Sequence, residues 1–432
     1  MKRRNGNAHP NGARTGLVPP IQAVGLAFLL VAIPVIASAE DPVRGSLGST
    51  VDTLLMAAHR LSPALRGAAL DTAAAAAKAS GADALDDPMI TDNYQYYRNP
   101  NVFSGHAIMV TQAFPLWGKR GLRRDAAVAE LEAVRGRERA SQDELDERIK
   151  IAFARYYVAT RAIAVNREVA RLARGLRDAT AARYGAGQGE QTAVIQALGE
   201  ETSARVEMIR LEGDRDAARA QLNALIARPA DAPLATPLRL RQLPPAVPAV
   251  AALVERARTS SPSLATETAE IRAAQTRRTL ADRSWYPDVT VGVGPLIQTN
   301  NRPPGVAASI GLNIPLGWGR QSAEQGEATA RLGAARQRYE AALLNIQGAL
   351  GEAVARLTAA RRTEALLGRE ALPQARAGLR SLAATYGPGR GDLSPVIDAQ
   401  HRVHEVEFKL LIALLDGQAA LAAIERLIGG DL

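Results

Sequence analysis

The sequence predicts a mainly α protein with a small β part: two tandem repeats, each holding a long antiparallel coiled-coil helical hairpin and two amphipathic strands, four strands per chain. Three observations predict it. Ala, Leu, Glu, Gln and Arg fill long stretches poor in Gly and Pro, and aromatics are only 4% of the chain, the composition of long helices. The irregular phrase FPLWGKR at 114–120 returns as IPLGWGR at 314–320. Each phrase follows apolar residues that alternate with period two and precedes apolar residues that step by three and four.

Taken in order, residues 1–39 predict a signal peptide. Lys2, Arg3 and Arg4 precede an apolar run over 18–36, and Ala37-Ser38-Ala39 ends it before Glu40. An anchor helix suits this stretch less well, because Pro34 and the small-residue end favour cleavage. No later run of about twenty apolar residues predicts a transmembrane helix. The chain has no Cys, which excludes disulfides, thiolate metal sites and a cysteine-linked lipid anchor.

The first repeat covers 40–228. It opens with a helix over 49–80, interrupted at Ser62-Pro63. Strands over 92–102 and 106–116 follow as one hairpin, 92–116. A long helical hairpin, 120–228, completes the repeat. Its first arm is free of Pro to 183, with Leu145, Ile149, Ala152, Tyr156, Ala159 and Ile163 as a heptad seam, shifting to Val165, Val169, Leu172, Leu176 and Ala179. About sixty helical residues make a rod of roughly 90 Å. Residues 229–247 form a Pro-rich linker that cannot continue a helix.

The second repeat, 248–432, follows the same plan at an offset of about 200. Its helix covers 248–283 and its hairpin 288–316; a long helical hairpin, 321–428, carries seams at Leu343, Ile346, Leu350, Ala353, Leu357 and Ala360, then Val403, Val406, Leu410 and Ala413. Strand residues Val306, Ala308, Ile310, Leu312, Ile314 and Leu316 alternate with small or polar ones. A lone hairpin is marginally stable, and strands of about ten residues with one apolar face suit a transmembrane barrel. Four strands cannot close one, so several copies of the chain are expected to assemble.

The function classes thin out quickly. The net charge of +9 rests partly on the N-terminal segment, and the remaining Arg residues interleave with acids, so no nucleic-acid partner is expected. GAGQGE at 185–190 and GPGRGD at 387–392 do not follow strands and read as turns, not phosphate loops. No nucleophile triad, zinc motif or nucleotide fingerprint stands out, so no enzyme activity and no cofactor are predicted. His401 and His404, three apart on a helix, are a weak metal candidate without a third ligand; polar residues on a solvated face is the stronger reading.

The repeat plan, QAFPLWGKRG before a long helix, WYPDVTVGVG at a strand start, and the turns RYGAGQGEQTAVIQAL and TYGPGRGDLSPVIDAQ resemble the TolC-like outer membrane efflux family over nearly the whole mature chain. The WGKRG form is most similar to its heavy-metal branch of CzcC-like proteins. The resemblance implies a homotrimer with one β-barrel in outer membrane lipid and a helical tunnel in the periplasm. It also implies a periplasmic adaptor (membrane fusion protein) and an inner-membrane RND-type pump as partners. Export of drugs or of a polypeptide by the same fold remains open, as does a periplasmic helical-hairpin adaptor or scaffold.

Carried over by position, Tyr184, Gly185, Gly187, Tyr386, Gly387 and Gly389 would form the adaptor-contacting tips. Asp398, with Asp392 and Glu190, would narrow the aperture, although Ala193 and Pro395 stand where the family often has acids. Pro115, Trp117, Gly118, Pro315, Trp318 and Gly319 would mark the junction of barrel and tunnel. There Pro ends strand pairing, Gly lets the chain turn, and the aromatics, with Trp285 and Tyr286, sit at the membrane edge. Lys119 and Arg320, next in the phrase, are expected to stay hydrated just outside the apolar band.

Overall fold

The computed structural model describes residues 47–98, 104–298, 303–317, 319–386 and 393–432. The predicted signal peptide lies outside them, as do Trp318, Gly387, Gly389 and Asp392. Two short helices open the first repeat, α1 (Val51–Leu61) and α2 (Pro63–Gly81). Ser62 between them has φ −60° and ψ 120°, the extended conformation imposed on a residue before proline. The second repeat does the same with α5 (Val250–Ser260) and α6 (Pro262–Asp282), where Ser261 has φ −65° and ψ 120°.

The strands are β1 (Met89–Gln95), β2 (Gly105–Phe114), β3 (Asp288–Gln298) and β4 (Gly305–Asn313). Three differ from expectation: β1 starts three residues before 92 and stops at Gln95, while β2 and β4 end at Phe114 and Asn313, short of 116 and 316. Pro115 and Pro315 account for the shortened ends, since neither donates to a ladder. The pairing agrees with four strands acting together. The two hairpins join through β2 and β3 into one antiparallel sheet of order β1-β2-β3-β4.

Between β2 and the linker run α3 (Lys119–Gly185) and α4 (Gln191–Leu225). With 67 residues, α3 is a rod of about 100 Å. The expected seam from Leu145 to Ile163 is buried throughout. Beyond it the stripe takes another course: Asn166, Ala173, Leu176 and Thr180 are the buried positions, while Val165, Val169 and Leu172 line an open groove and Ala179 is exposed. Asn166 explains the change, because its buried amide donates to the Ala204 carbonyl at 2.9 Å and so ties α3 to α4.

In the second repeat the rod is α7 (Arg320–Leu366), a π-helical turn over Leu367–Ala371, and α8 (Leu372–Tyr386); α9 (Ser394–Ile428) returns. Pro373 lacks an N–H and would press on the carbonyl four residues back, and the wider π turn just before it absorbs both defects. Residues 343–360 keep their predicted seam. In α9 the buried face moves past Val403, Val406 and Leu410 to Leu411, Ala413, Leu421, Ile424 and Ile428.

Residues of the two repeats pack equivalently. Leu54, Ile149, Leu222 and Ile226 meet in one core; Leu253, Leu350, Ile424 and Ile428 meet in another. Yet Gly45 to Leu432 forms a single compact unit, because α3 packs along α6 and α9 of the other repeat. The linker is strapped down as well: the Ala235 and Leu238 N–H groups donate to the Leu47 and Ser49 carbonyls, and Gln418 donates to the Arg241 carbonyl at 2.7 Å.

Candidate functional site

The register sorts the sheet into two unlike faces. Val291 stands beside Ile310, Val289 beside Leu312, Val110 beside Val293 and Ile90 beside Val110, so these residues of all four strands share one side, while Met109 lies on the other, against Gly292. The opposite side holds Thr111, Thr290, Gly292, Ser309 and Gly311. In a water-soluble sheet the apolar side would be covered. Here it is open, with Ile310 80% and Val306 79% exposed. Toward the hairpin loops, Tyr94 stacks on His106, which pairs with Asp92 at 2.9 Å. At the other end stand Trp117, Trp285 and Tyr286, each about half exposed. Aromatic residues therefore bound the apolar band at both ends, as at the two interfaces of a membrane barrel.

The joint beneath the sheet is built from both repeats. Trp117 and Gly118 have φ of +61° and +75°, two successive left-handed residues that swing the chain from strand to helix; Trp117 bears the strain, a conformation rarely adopted by a bulky side chain. Gly317 and Gly319 take φ of +69° and +91° at the second joint. The Trp117 indole donates to the Pro287 carbonyl at 2.8 Å and its ring packs on Tyr286 at 5.3 Å. Lys119 is not hydrated as expected. It is buried, donating to Asp288 Oδ2 and to the Tyr286 carbonyl, both at 2.8 Å, while Asp288 Oδ1 accepts the Leu116 N–H at 3.1 Å. Arg320, its counterpart, is open to solvent and pairs only with Glu324, one turn along its own helix, at 2.9 Å.

At the far end of the rods, Gly187 takes φ +73° in the turn between α3 and α4, and Glu190, just before α4, makes no cap bond to its backbone but accepts from the Thr192 hydroxyl at 3.0 Å. Tyr184 and Tyr386, grouped as tip contacts by sequence position, part company. Tyr184 is half exposed, whereas Tyr386 is buried, with its hydroxyl 3.1 Å from Thr180 Oγ1 and Arg183 over its ring. Asp398 is exposed just past the first turn of α9. The two histidines diverge: His401 Nε2 meets Glu200 Oε2 at 2.8 Å, while His404 is half-buried against Phe408 with its Nε2 unpartnered. Burial, its largest influence, holds the His404 pKa below the usual value. Among the described residues no group of three or more ligating side chains is placed to hold a metal.

Sequence reasoning missed a charged cluster midway along the rods. Glu425, 5% exposed, accepts from Lys150 at 2.8 Å and from Arg241 at 3.0 and 2.8 Å, so one carboxylate joins α3, the linker and α9. Lys150 also holds Asp431 at 2.8 Å, which lowers that carboxyl's pKa. Nearby, Asp143 has one carboxylate oxygen without a partner. Burial first, then the Asp146 charge, raises its pKa from 3.8 to about 6, against the pull of Lys150 and Arg426. A raised carboxyl favours the neutral form in the fold, so the stability it confers at low pH is lost as pH rises from about 4 through about 6. Asp143→Asn is expected to remove that slope and to gain about 1 kcal/mol at pH 7.5 after discounting for solvent screening. Unfolding followed at pH 4 and 7.5 checks this; an unchanged difference between the two would refute it.

Residues 253–430 match the model of a family described as outer membrane efflux protein. No curated protein matches the sequence. Among solved structures the chain is similar to a membrane protein from Pseudomonas aeruginosa, at 21% identity and a TM-score of 0.75 over 92% of this chain and 97% of that one. It is similar to the open state of the MtrE outer membrane channel of Neisseria gonorrhoeae, at 18% identity and a TM-score of 0.74 over 90% and 93%. VceC, an outer membrane protein of Vibrio cholerae, aligns at 20% identity with a TM-score of 0.70 over 88% and 96%. The fold is thus shared over nearly the whole chain, and the family model matches within the second repeat.

Proposed function

We propose that this chain, whose second repeat matches the outer membrane efflux family model and whose fold is shared with outer membrane channels over nearly its whole length, is the exit duct of a tripartite efflux system. The observation that carries the reading is the open apolar face of the four-stranded sheet, bounded by aromatics and set directly on rods of about 100 Å. An 11-residue strand tilted by about 45° crosses the apolar core of a bilayer. β4 runs toward the joint and β1 away from it, so β4 of one copy meets β1 of the next in antiparallel sense. Three copies close twelve strands into a barrel without edges, four from each chain.

The duct is passive. Cargo enters from an inner-membrane RND-type pump through a periplasmic adaptor that meets the tips at 184–190 and 386–392, and it leaves along the small, polar side of the sheet. The cargo we assign is heavy-metal cations, on the likeness of the WGKRG joint to the heavy-metal branch. Membrane fractionation tests the duct itself: recovery of the mature chain as a soluble periplasmic protein would rule it out in favour of a scaffold. Deletion tests the cargo. Unchanged tolerance of zinc, cobalt, cadmium, nickel, copper and silver would end the metal assignment and leave drugs or a polypeptide.

Asp398, repeated three times around the axis, would bring negative charge to the aperture, and it makes no ion pair among the described residues. Asp398→Ala is expected to raise the leak conductance of the purified duct in planar bilayers several-fold, and equal conductance would remove Asp398 from the gate.

A further inference from the structure

We infer that Arg320 pairs with Asp86 and Asp87 of the partner subunit, locking one copy of the chain to the next at the foot of the barrel. The inference rests on the oligomeric duct and adds the contact that fixes its copies together.

The two joints of the chain are alike in backbone and unlike in partners. Each has a left-handed Gly, Gly118 or Gly319, followed by a basic residue that begins a long helix. The first joint closes inside the chain, because β2 pairs with β3 and brings Lys119 onto Asp288 and the Tyr286 carbonyl. The second joint ends β4, which is an open edge of the sheet. Arg320 therefore stands in the place of Lys119 with nothing across from it, its side chain 83% exposed.

The other open edge is β1, and what precedes it completes the pattern. Asp86, Asp87 and Pro88 hold the repeat positions of Trp285, Tyr286 and Pro287. Both carboxylates are exposed, and among the described residues neither makes a side-chain hydrogen bond or ion pair. When β4 of one copy lies against β1 of the next as β2 lies against β3, Arg320 arrives where Lys119 sits. Asp87 of the partner subunit then occupies the place of Tyr286, whose carbonyl Lys119 contacts.

Met89 takes the position of Asp288, so the anion in this seam must come from the preceding residues. Two adjacent carboxylates supply it, and a guanidinium suits them better than an ammonium because its planar fork reaches two acceptors at once. Left unpaired, the same two acids would repel each other at every seam of the barrel. The apolar rows of the β1 and β4 faces also become continuous in this arrangement, since Ile90 and Ile310 both lie on the open side.

The absence of Cys makes a clean test possible. Full-length chains carrying Arg320→Cys with Asp87→Cys, or Arg320→Cys with Asp86→Cys, are purified in detergent, their native mass is measured, and they are oxidised. The expected result is a trimer by native mass that runs as covalent dimers and trimers on a non-reducing gel, while the single-cysteine variants run as monomers. A trimer in which neither pair cross-links overturns this inference and leaves the duct standing; the lack of any trimer overturns the duct reading itself. A charge swap gives a second readout. Arg320→Glu is expected to lower the temperature at which the trimer dissociates, and adding Asp86→Arg and Asp87→Arg to recover it; no recovery counts against the pairing.

Discussion

Asp288→Ala is expected to destabilise the folded chain by about 3–5 kcal/mol and to loosen the sheet from the rods at the first joint. The carboxylate holds three features together: it neutralises the buried Lys119 ammonium at 2.8 Å, accepts the Leu116 N–H at 3.1 Å, and lies at the first residue of β3. Removing it leaves a buried cation whose remaining acceptor is a carbonyl, and desolvation of that charge sets the size of the effect. Arg320→Ala is the contrast in an isolated protomer, because an exposed i,i+4 pair contributes only about 0.3–0.5 kcal/mol. Thermal unfolding of the detergent-solubilised protomer measures both. A loss below about 1 kcal/mol for Asp288→Ala would mean that Lys119 reaches water and that the clamp is not structural.

Glu425→Ala is expected to be equally severe, by about 3–5 kcal/mol, but at a different place and with a different signature. Its carboxylate is buried between Lys150 of α3 and Arg241 of the linker, so the substitution leaves two cations facing one another. Lys150 retains Asp431, which is well exposed and compensates little. Arg241 already has one guanidinium nitrogen without a partner and would lose its anion altogether. Because these groups join the two repeats, limited proteolysis is expected to cut the variant first in the linker, 229–247. Protection of the linker equal to that of the unmodified chain would show that packing of the two cores, not this cluster, holds the repeats together.

Much of this architecture was legible in the sequence because it is written in local periods. The period-two run from Val306 to Leu312 and the stepping of Leu343, Ile346 and Leu350 each describe one element's apolar side, and a short window is enough to find them. The joints were legible for the same reason: Pro and Gly act on their own φ and ψ, so PLWGK and PLGWGR announce a strand end and a turn without reference to any partner. The π turn before Pro373 was equally within reach, since the proline alone requires it.

What failed were statements about particular polar or terminal side chains whose partners lie far along the chain. Lys119 looked like a solvated charge because its neighbours in sequence are Gly and Arg, and its true partner is 169 positions away. Tyr184 and Tyr386 looked equivalent by repeat position, yet Thr180 and Arg183 enclose only the second. Of the shifted stripe, Leu176 joins a core with Leu172 packed on it, while Val165 and Val169 line a groove, and Asn166 beside them turns to the Ala204 carbonyl of α4.

By itself the sequence determined that the chain is a duplicated helical rod with paired amphipathic strands and a strand-to-helix joint in each copy. Periodicity, proline and glycine constrain the backbone locally, and so no partner was needed to read them. Only the tertiary structure decided that the two hairpins form one sheet, that Lys119 and Glu425 are buried links between the repeats, and that Arg320 is left open at the edge. Burial and ion pairing depend on which distant segments meet, and two copies of nearly the same phrase acquire different surroundings when one joint closes within the chain and the other faces outward.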